Sequence, residues 1–279
     1  MRSDGKQRPS RALSLFHRAV FWLGGRCIRT VEIEEDGERF LFRCPNMQTI
    51  RRATTLFVKE QGTIEWLKST LKPGDVFLDI GANIGLYSIY GANLVGNTGH
   101  VFAVEPHMFN ATGLMENIQV NGLSDRVDVL TLALSADDGY DNFHYTSWQT
   151  GTALNQFGDA AAQSATGSEF VGKELKFATT IDRLLAAGAV APPDVVKIDV
   201  DGLEPDILTG MSGLLTGPDR PRSLQVEVAG AQGDEIDRQL AAMGYRLDHR
   251  HFTQAGKKRL KRGEDEAAIA HNAVFVPAA

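Results

Sequence analysis

Cysteine is almost absent: Cys27 and Cys44 are the only two in 279 residues. That excludes a disulfide framework and a cysteine metal knuckle, and it fits a reducing cytosol. Long apolar runs are absent too. None approaches the roughly 18–20 residues that span a bilayer, and Ala19–Leu23 is too short for a signal-peptide core, so a cytoplasmic location is expected. Basic charge is in deficit, with 29 Lys and Arg against 35 Asp and Glu and a net charge of −6. A chain of that balance is not expected to coat nucleic acid. The little basic charge is concentrated: residues 1–30 hold Arg2, Lys6, Arg8, Arg11, Arg18, Arg26 and Arg29 against Asp4 alone. What is present is ordinary for a globular protein, 43% hydrophobic and 23% charged. The length suits one large α/β domain with an N-terminal appendage.

The first ten residues are polar and basic, and disorder is expected there. From Arg11 to Arg29, Leu13, Phe16, Val20 and Leu23 recur at helical spacing, which predicts an amphipathic helix. Such a helix packs on the main domain or on another subunit of a homo-oligomer, or, being basic, touches an anionic membrane surface. Val31–Cys44 alternates as a hairpin turning at Asp36-Gly37. Residues 1–50 thus read as an extension and 51–279 as the main domain. Glu60–Leu71 predicts a helix. From Asp75 short apolar runs (Val76–Ile80, Val101–Val104, Val127–Leu134, Val195–Val200, Leu224–Val228) alternate with helical patterns around 84–94, 110–120, 203–215 and 235–243. That rhythm predicts βαβ units and a mostly parallel sheet covered on both faces. Tyr245–Leu247 and Ala273–Val276 read as strands with no good helix between them. Gly158–Gly172 reads as a mobile loop able to close as a lid, and His249–Arg262, with six Lys and Arg, as a solvated charge run.

The first of these runs ends in Asp79-Ile-Gly81-Ala-Asn83-Ile-Gly85. Glycines at a strand-to-helix turn let a ligand approach the backbone closely. Glu105 follows 20 residues after Gly85 at the end of the next run, where a carboxylate accepts hydrogen bonds from ribose hydroxyls. A dinucleotide site wants a second glycine where Asn83 stands. Asp79 would repel a pyrophosphate, yet it suits the cationic amino and sulfonium groups of S-adenosylmethionine. The residues therefore favour S-adenosylmethionine, with S-adenosylhomocysteine as product, over a nicotinamide dinucleotide. An NAD(P)-dependent oxidoreductase remains the alternative enzyme. A non-catalytic cofactor-binding module with a recruiting N-terminus is the alternative outside enzymes.

Asp79-Ile-Gly-Ala-Asn-Ile-Gly-Leu-Tyr-Ser88, Ala103-Val-Glu-Pro106 and Val196-Lys-Ile-Asp-Val-Asp-Gly-Leu-Glu204 resemble the FkbM family of methyltransferases. Ala133-Leu-Ser135, Gly151-Thr-Ala and Leu224-Gln-Val-Glu227 also fall where that family has its motifs, and the resemblance runs from about Glu60 to Val276. Asp201 departs from the family's usual glutamate. The resemblance implies a Rossmann-like, seven-stranded sheet ordered 3-2-1-4-5-7-6 with strand 7 antiparallel. It also implies methylation of a hydroxyl on a sugar, glycan or secondary metabolite. Carried onto this sequence, it implies cofactor contacts at Asp79, Gly81, Ala82, Asn83, Gly85, Glu105, Pro106, Ala133 and Asp199.

Side chains alternate along strands, so Lys197 and Asp199 share a face, as do Gln225 and Glu227. With the implied strand order, Asp79, Lys197, Asp199 and Glu227 converge at the C-terminal ends of adjacent strands. A strand lysine is costly unless paired, so Lys197 either forms an ion pair with Asp199 or Glu227 or meets the substrate. Asp199 and Glu227 are the candidate catalytic groups, with Asp199 preferred as base; His107 and His144 are weaker candidates. His144, Trp148 and Thr150 are the expected acceptor wall. Asp199, Asp201 and Glu227 offer oxygen ligands, but no spacing is diagnostic of Mg²⁺, and a metal is not favoured.

Overall fold

The computed structural model describes residues 29–158, 169–228, 232–265 and 269–278. The expected N-terminal disorder, residues 11–28 of the expected amphipathic helix and residues 159–168 of the expected lid lie outside the described residues. The first described elements are β1 (Arg29–Glu35) and β2 (Glu38–Cys44). Asp36 and Gly37 both have positive φ, 53° and 82°. Two consecutive positive-φ residues match the twist of a tight hairpin, so the turn falls where Asp-Gly stands. Phe40, Phe42 and Cys44 on β2 are buried in the main core.

Three helices follow: α1 (Met47–Thr54), α2 (Leu56–Lys59) and α3 (Gln61–Thr70). Asn46 caps α1, accepting from the Thr49 N–H at 2.9 Å. Then come β3 (Val76–Ile80), α4 (Leu86–Val95), β4 (His100–Val104), α5 (Met108–Val120), β5 (Val127–Leu130), β6 (Ala133–Leu134), β7 (Gly139–Tyr145), β8 (Gln156–Phe157) and β9 (Gly172–Thr179). The chain continues through α6 (Ile181–Ala186), β10 (Val195–Ile198), α7 (Glu204–Gly210), α8 (Ser212–Thr216), β11 (Ser223–Val228), α9 (Gly233–Ala242), β12 (Tyr245–His251), α10 (Gln254–Lys261) and β13 (His271–Pro277).

Seven strands form the main sheet in the order β5-β4-β3-β10-β11-β13-β12. β3, β4, β5, β10 and β11 pair in parallel, while β13 is antiparallel to both of its neighbours. Strict alternation divides the core. Phe77, Val101, Ala103 and Val195 face α4, α5 and the hairpin. Leu78, Ile80, Val104, Val196 and Ile198 face the other way, toward α6 to α9. The same alternation sends Asp79 and Lys197 to the first face, where they sit directly opposite each other in the β3–β10 register.

Three local expectations are corrected. The run over 127–134 is two strands: Leu130 pairs with Val104, the last residue of β4, and Ala133–Leu134 instead join β9. A helix, α10, stands between β12 and β13 where none was expected. Its sequence, QAGKKRLK, carries no apolar stripe, and only Gly256 is buried; the Thr253 hydroxyl starts it, accepting from the Gly256 N–H at 3.1 Å. No strand was expected between 139 and 179, yet β7, β8 and β9 join β6 in a second sheet in the order β6-β9-β7-β8.

Candidate functional site

β3 hands over to α4 through three positive-φ residues, Gly81 (81°), Asn83 (53°) and Gly85 (83°). A Cβ on Gly81 would lie 1.9 Å from the backbone oxygen of Asp199, and one on Gly85 would lie 2.2 Å from Leu114 Cδ1. Glycine is therefore required by space as well as by conformation. Asn83 holds its αL conformation through its side chain, whose Nδ2 donates to the Thr152 carbonyl at 2.8 Å. The Asn83 N–H donates to Glu105 Oε2 at 2.7 Å, and the His107 N–H donates to Glu105 Oε1 at 2.8 Å. The Asn110 side chain also bonds this carboxylate, and of its four lone-pair sites one is left for a ligand. Burial raises the Glu105 carboxyl to about 7, although both N–H donors pull it down.

Beneath this turn lies the polar column. Lys197 is 1% exposed, with its Nζ 2.8 Å from Asp199 Oδ2 and 3.6 Å from Asp79 Oδ1. The ring of Tyr87 lies under the same ammonium at 5.0 Å. Asp79 is fully buried and also accepts from the Ser88 hydroxyl at 2.6 Å. The two carboxylates respond oppositely. Burial dominates at Asp79 and raises it despite Lys197. Asp199 is also pushed up by burial, but the closer Lys197 outweighs this and holds it below the ordinary range. Burial opposes the charge of Lys197, yet Asp199 and Asp79 together lift it above the usual lysine value. The charge of Asp199, then burial, drives the Glu227 carboxyl strongly upward. The two opposite shifts favour a proton on Glu227 rather than on Asp199. Burial also raises Asp201 to about 6 and Glu204 to about 8.

A cavity of about 750 Å³ opens at the C-terminal ends of these strands. Gly81, Ala82, Asn83, Glu105, Pro106, Ala133, Asp199 and Glu227 all line it, so the structure brings together most of the residues singled out from the sequence. Asp79 and Gly85 lie just behind that lining, one as the buried partner of Lys197 and the other as the cap of α4. The expected acceptor residues do not line it. Lys197 is sealed between Asp79 and Asp199, and of these two only Asp199 lines the cavity. Thr150 turns toward Gly113 on α5 and offers its carbonyl to Asn46 at 2.9 Å. Trp148 packs on Tyr145 at 4.6 Å, outside the cavity. His144 packs on Phe170 at 5.1 Å. The weaker candidate His107 is fully buried, its Nε2 3.1 Å from the Ser147 carbonyl. Burial lowers its pKa.

Two groups were missed by sequence reasoning. Phe143 and Phe157 form an apolar wall from the second sheet; alternation within Gly139–Tyr145 was the available signal. Arg51, Arg52, Lys59 and Glu60 reach the cavity from α1 to α3, and Gln254 and Lys258 from α10. No motif marks these. Among the described residues no group of three or more His, Cys, Asp or Glu is placed to hold a metal ion, and no helix is long and apolar enough to cross a membrane.

The methyltransferase FkbM domain model matches residues 79–247, well over half of the chain. A hexuronic acid methyltransferase, AglP of Haloferax volcanii, is 31% identical over 163 residues, 56% of this chain and 58% of that protein, so the chain spans less than two thirds of that relative. Among solved structures, a SAM-dependent methyltransferase from Aquifex aeolicus aligns at TM-score 0.44 and 13% identity, over 81% of this chain and 93% of that one. Fibrillarin from Aeropyrum pernix, in complex with S-adenosylmethionine, aligns at TM-score 0.45 and 10% identity, over 88% and 82%. With its glycine turn, Glu105 and its Lys197-Ile-Asp199 strand all inside the matched range, the chain belongs to the FkbM methyltransferase family.

Proposed function

We propose that this chain is an S-adenosylmethionine-dependent O-methyltransferase acting on a hydroxyl of a sugar, glycan or secondary metabolite. The observation that carries this reading is the acidic floor of the cavity, where Glu105, Asp199, Asp201 and Glu227 surround a glycine turn. Lys197 neutralises only one of its two carboxylate partners, so the column keeps a net negative charge that favours a cationic ligand. The donor set therefore fits a sulfonium cofactor, and a cavity of about 750 Å³ has room for it and an acceptor. Glu105 would hold a ribose hydroxyl, Gly81 to Asn83 the backbone-facing edge, Asp199 the amino group, and Ala133, Leu134, Phe143 and Phe157 the flat faces of the base. When bound, S-adenosylmethionine supplies an electrophilic methyl carbon. The similarity to AglP supports a sugar as acceptor.

The chain's own contribution is positioning and proton handling. Asp199 is kept ionised by Lys197 and accepts a hydrogen bond from the acceptor hydroxyl, fixing its oxygen. As that oxygen gains carbon it loses its proton, and Asp199 receives it. With Glu227 raised and Asp199 lowered, the pair would hold one proton at rest and two after transfer, before release to solvent. The test is Asp199→Asn, assayed by transfer of labelled methyl to a panel of glycan acceptors. Turnover should fall by roughly 10²-fold or more, measured at a temperature where the variant, which weakens the pairing of Lys197, is still folded. A fully active variant would remove Asp199 from the mechanism.

A further inference from the structure

The cavity has two electrostatic characters. Its floor, made by strand ends, is acidic. The helices that close it over the top of the strands are not: α1, α2 and α10 contain no acidic residue at all. Together they present Arg51, Arg52, Lys59 and Lys258 to the cavity. Two of these bases are engaged locally. Lys59 pairs with Glu60 at 2.8 Å, and Arg52 Nε donates to the Gly151 carbonyl at 2.6 Å, leaving the rest of its guanidinium fork free of that bond. The side chains of Arg51 and Lys258 make no hydrogen bond or ion pair among the described residues.

Bases gathered from two distant stretches of sequence repel one another, and in a chain of net charge −6 carboxylates to pair with them are plentiful. Arg51 and Lys258 are exposed and solvated at rest, and with Arg52 they make this part of the cavity mouth positive enough to attract an anion. We propose that the methyl acceptor is an anionic, sugar-sized molecule whose carboxylate or phosphate is seated on Arg51, Arg52 and Lys258. Its hydroxyl then points down to Asp199. This rests on the methyltransferase reading and adds the acceptor's charge to it. The cofactor's own carboxylate can engage one of these bases, and the experiment separates the two roles. Arg51 and Arg52 offer planar forks that match a carboxylate or phosphate edge, whereas Lys258 supplies a point charge.

The experiment is calorimetric titration of the full chain, saturated with S-adenosylhomocysteine, with three probes: methyl glucoside, methyl glucuronide and glucose 6-phosphate. One or both anionic probes should bind about tenfold or more tighter than the neutral one, and the stronger of the two identifies carboxylate or phosphate as the recognised group. That advantage should shrink as KCl is raised from about 0.05 to 0.5 M, a readout that needs no variant. The double variant Arg51→Gln/Lys258→Gln should lose the preference and keep its S-adenosylhomocysteine affinity. Equal binding of the three probes, or no binding of either anion, would overturn the inference alone. So would a double variant that loses S-adenosylhomocysteine while keeping its anion preference, because the bases would then serve the cofactor. Failure of the unmodified chain to bind S-adenosylhomocysteine would overturn the methyltransferase reading and this inference with it.

Discussion

Lys197 decides the charge state of the site. Among the described residues it is the one cation of the column, 1% exposed and shared by Asp199 and Asp79. Removing one member of a buried ion cluster is worse than never having it, because the partners keep their desolvation cost without the attraction that offset it. Lys197→Met should therefore destabilise the fold by about 3–5 kcal/mol, read as a fall in denaturant midpoint. The same variant should let the Asp199 carboxyl rise, so that the acid limb of a pH–rate profile moves to higher pH. An unchanged limb with lost stability would make Lys197 structural only. From the sequence, Lys197 was open to two readings, because a lysine in an apolar strand shows the need for a partner but not which residue fills it. The β3–β10 register answers this by setting Lys197 beside Asp79.

At the scale of elements, the β1–β2 hairpin is fastened to the main fold by two asparagines of α5 and its cap. Asn117 accepts from the Arg43 N–H at 2.6 Å and donates to the Ile84 carbonyl at 2.8 Å, while Asn121 exchanges bonds with Leu41 at 2.9 and 2.6 Å. Asn117→Leu would strand an N–H and a carbonyl in a buried place, costing about 2–4 kcal/mol. Faster hydrogen exchange at Leu41 and Arg43 should accompany it; unaltered exchange there would mean the hairpin is held by Phe40 and Phe42 alone. The buried strands were the legible elements. β3, β4, β10 and β11 are covered on both faces, so they read as apolar runs with boundaries within about two residues. β7 and β9 were not legible, since each has one exposed face where Tyr140, Leu175 and Phe177 stand among charged residues. α10 was not legible either: it carries charge in place of an apolar stripe, and its start depends on the Thr253 cap.

Over the whole molecule, the cavity gathers residues from position 48 to position 258. Its floor was readable because a turn and two strand ends carry it within short motifs. Its rim was not, because α1, α2 and α10 meet only when the sheet closes. Several raised carboxyls give the fold a pH signature. Glu105 (about 7), Asp201 (about 6) and Glu204 (about 8) all stand above their unfolded values near 4, so each stabilises the fold fully below that value and loses its contribution as pH rises through 6–8. Asp199, held low, works oppositely and loses its contribution only in acid. The melting temperature of the ligand-free chain should fall between pH 5 and 8.5 by roughly 5–10 °C; a rise over that range would contradict these assignments. The central claim, a pocket built for a sulfonium cofactor with Glu105 on the ribose, is tested most directly by titrating the chain and its Glu105→Ala variant with S-adenosylhomocysteine and with NAD in a calorimeter. The account predicts that the unmodified chain binds S-adenosylhomocysteine and not NAD, and that the variant loses most of that affinity. Tight binding of NAD without S-adenosylhomocysteine, or undiminished S-adenosylhomocysteine binding by the variant, would contradict it.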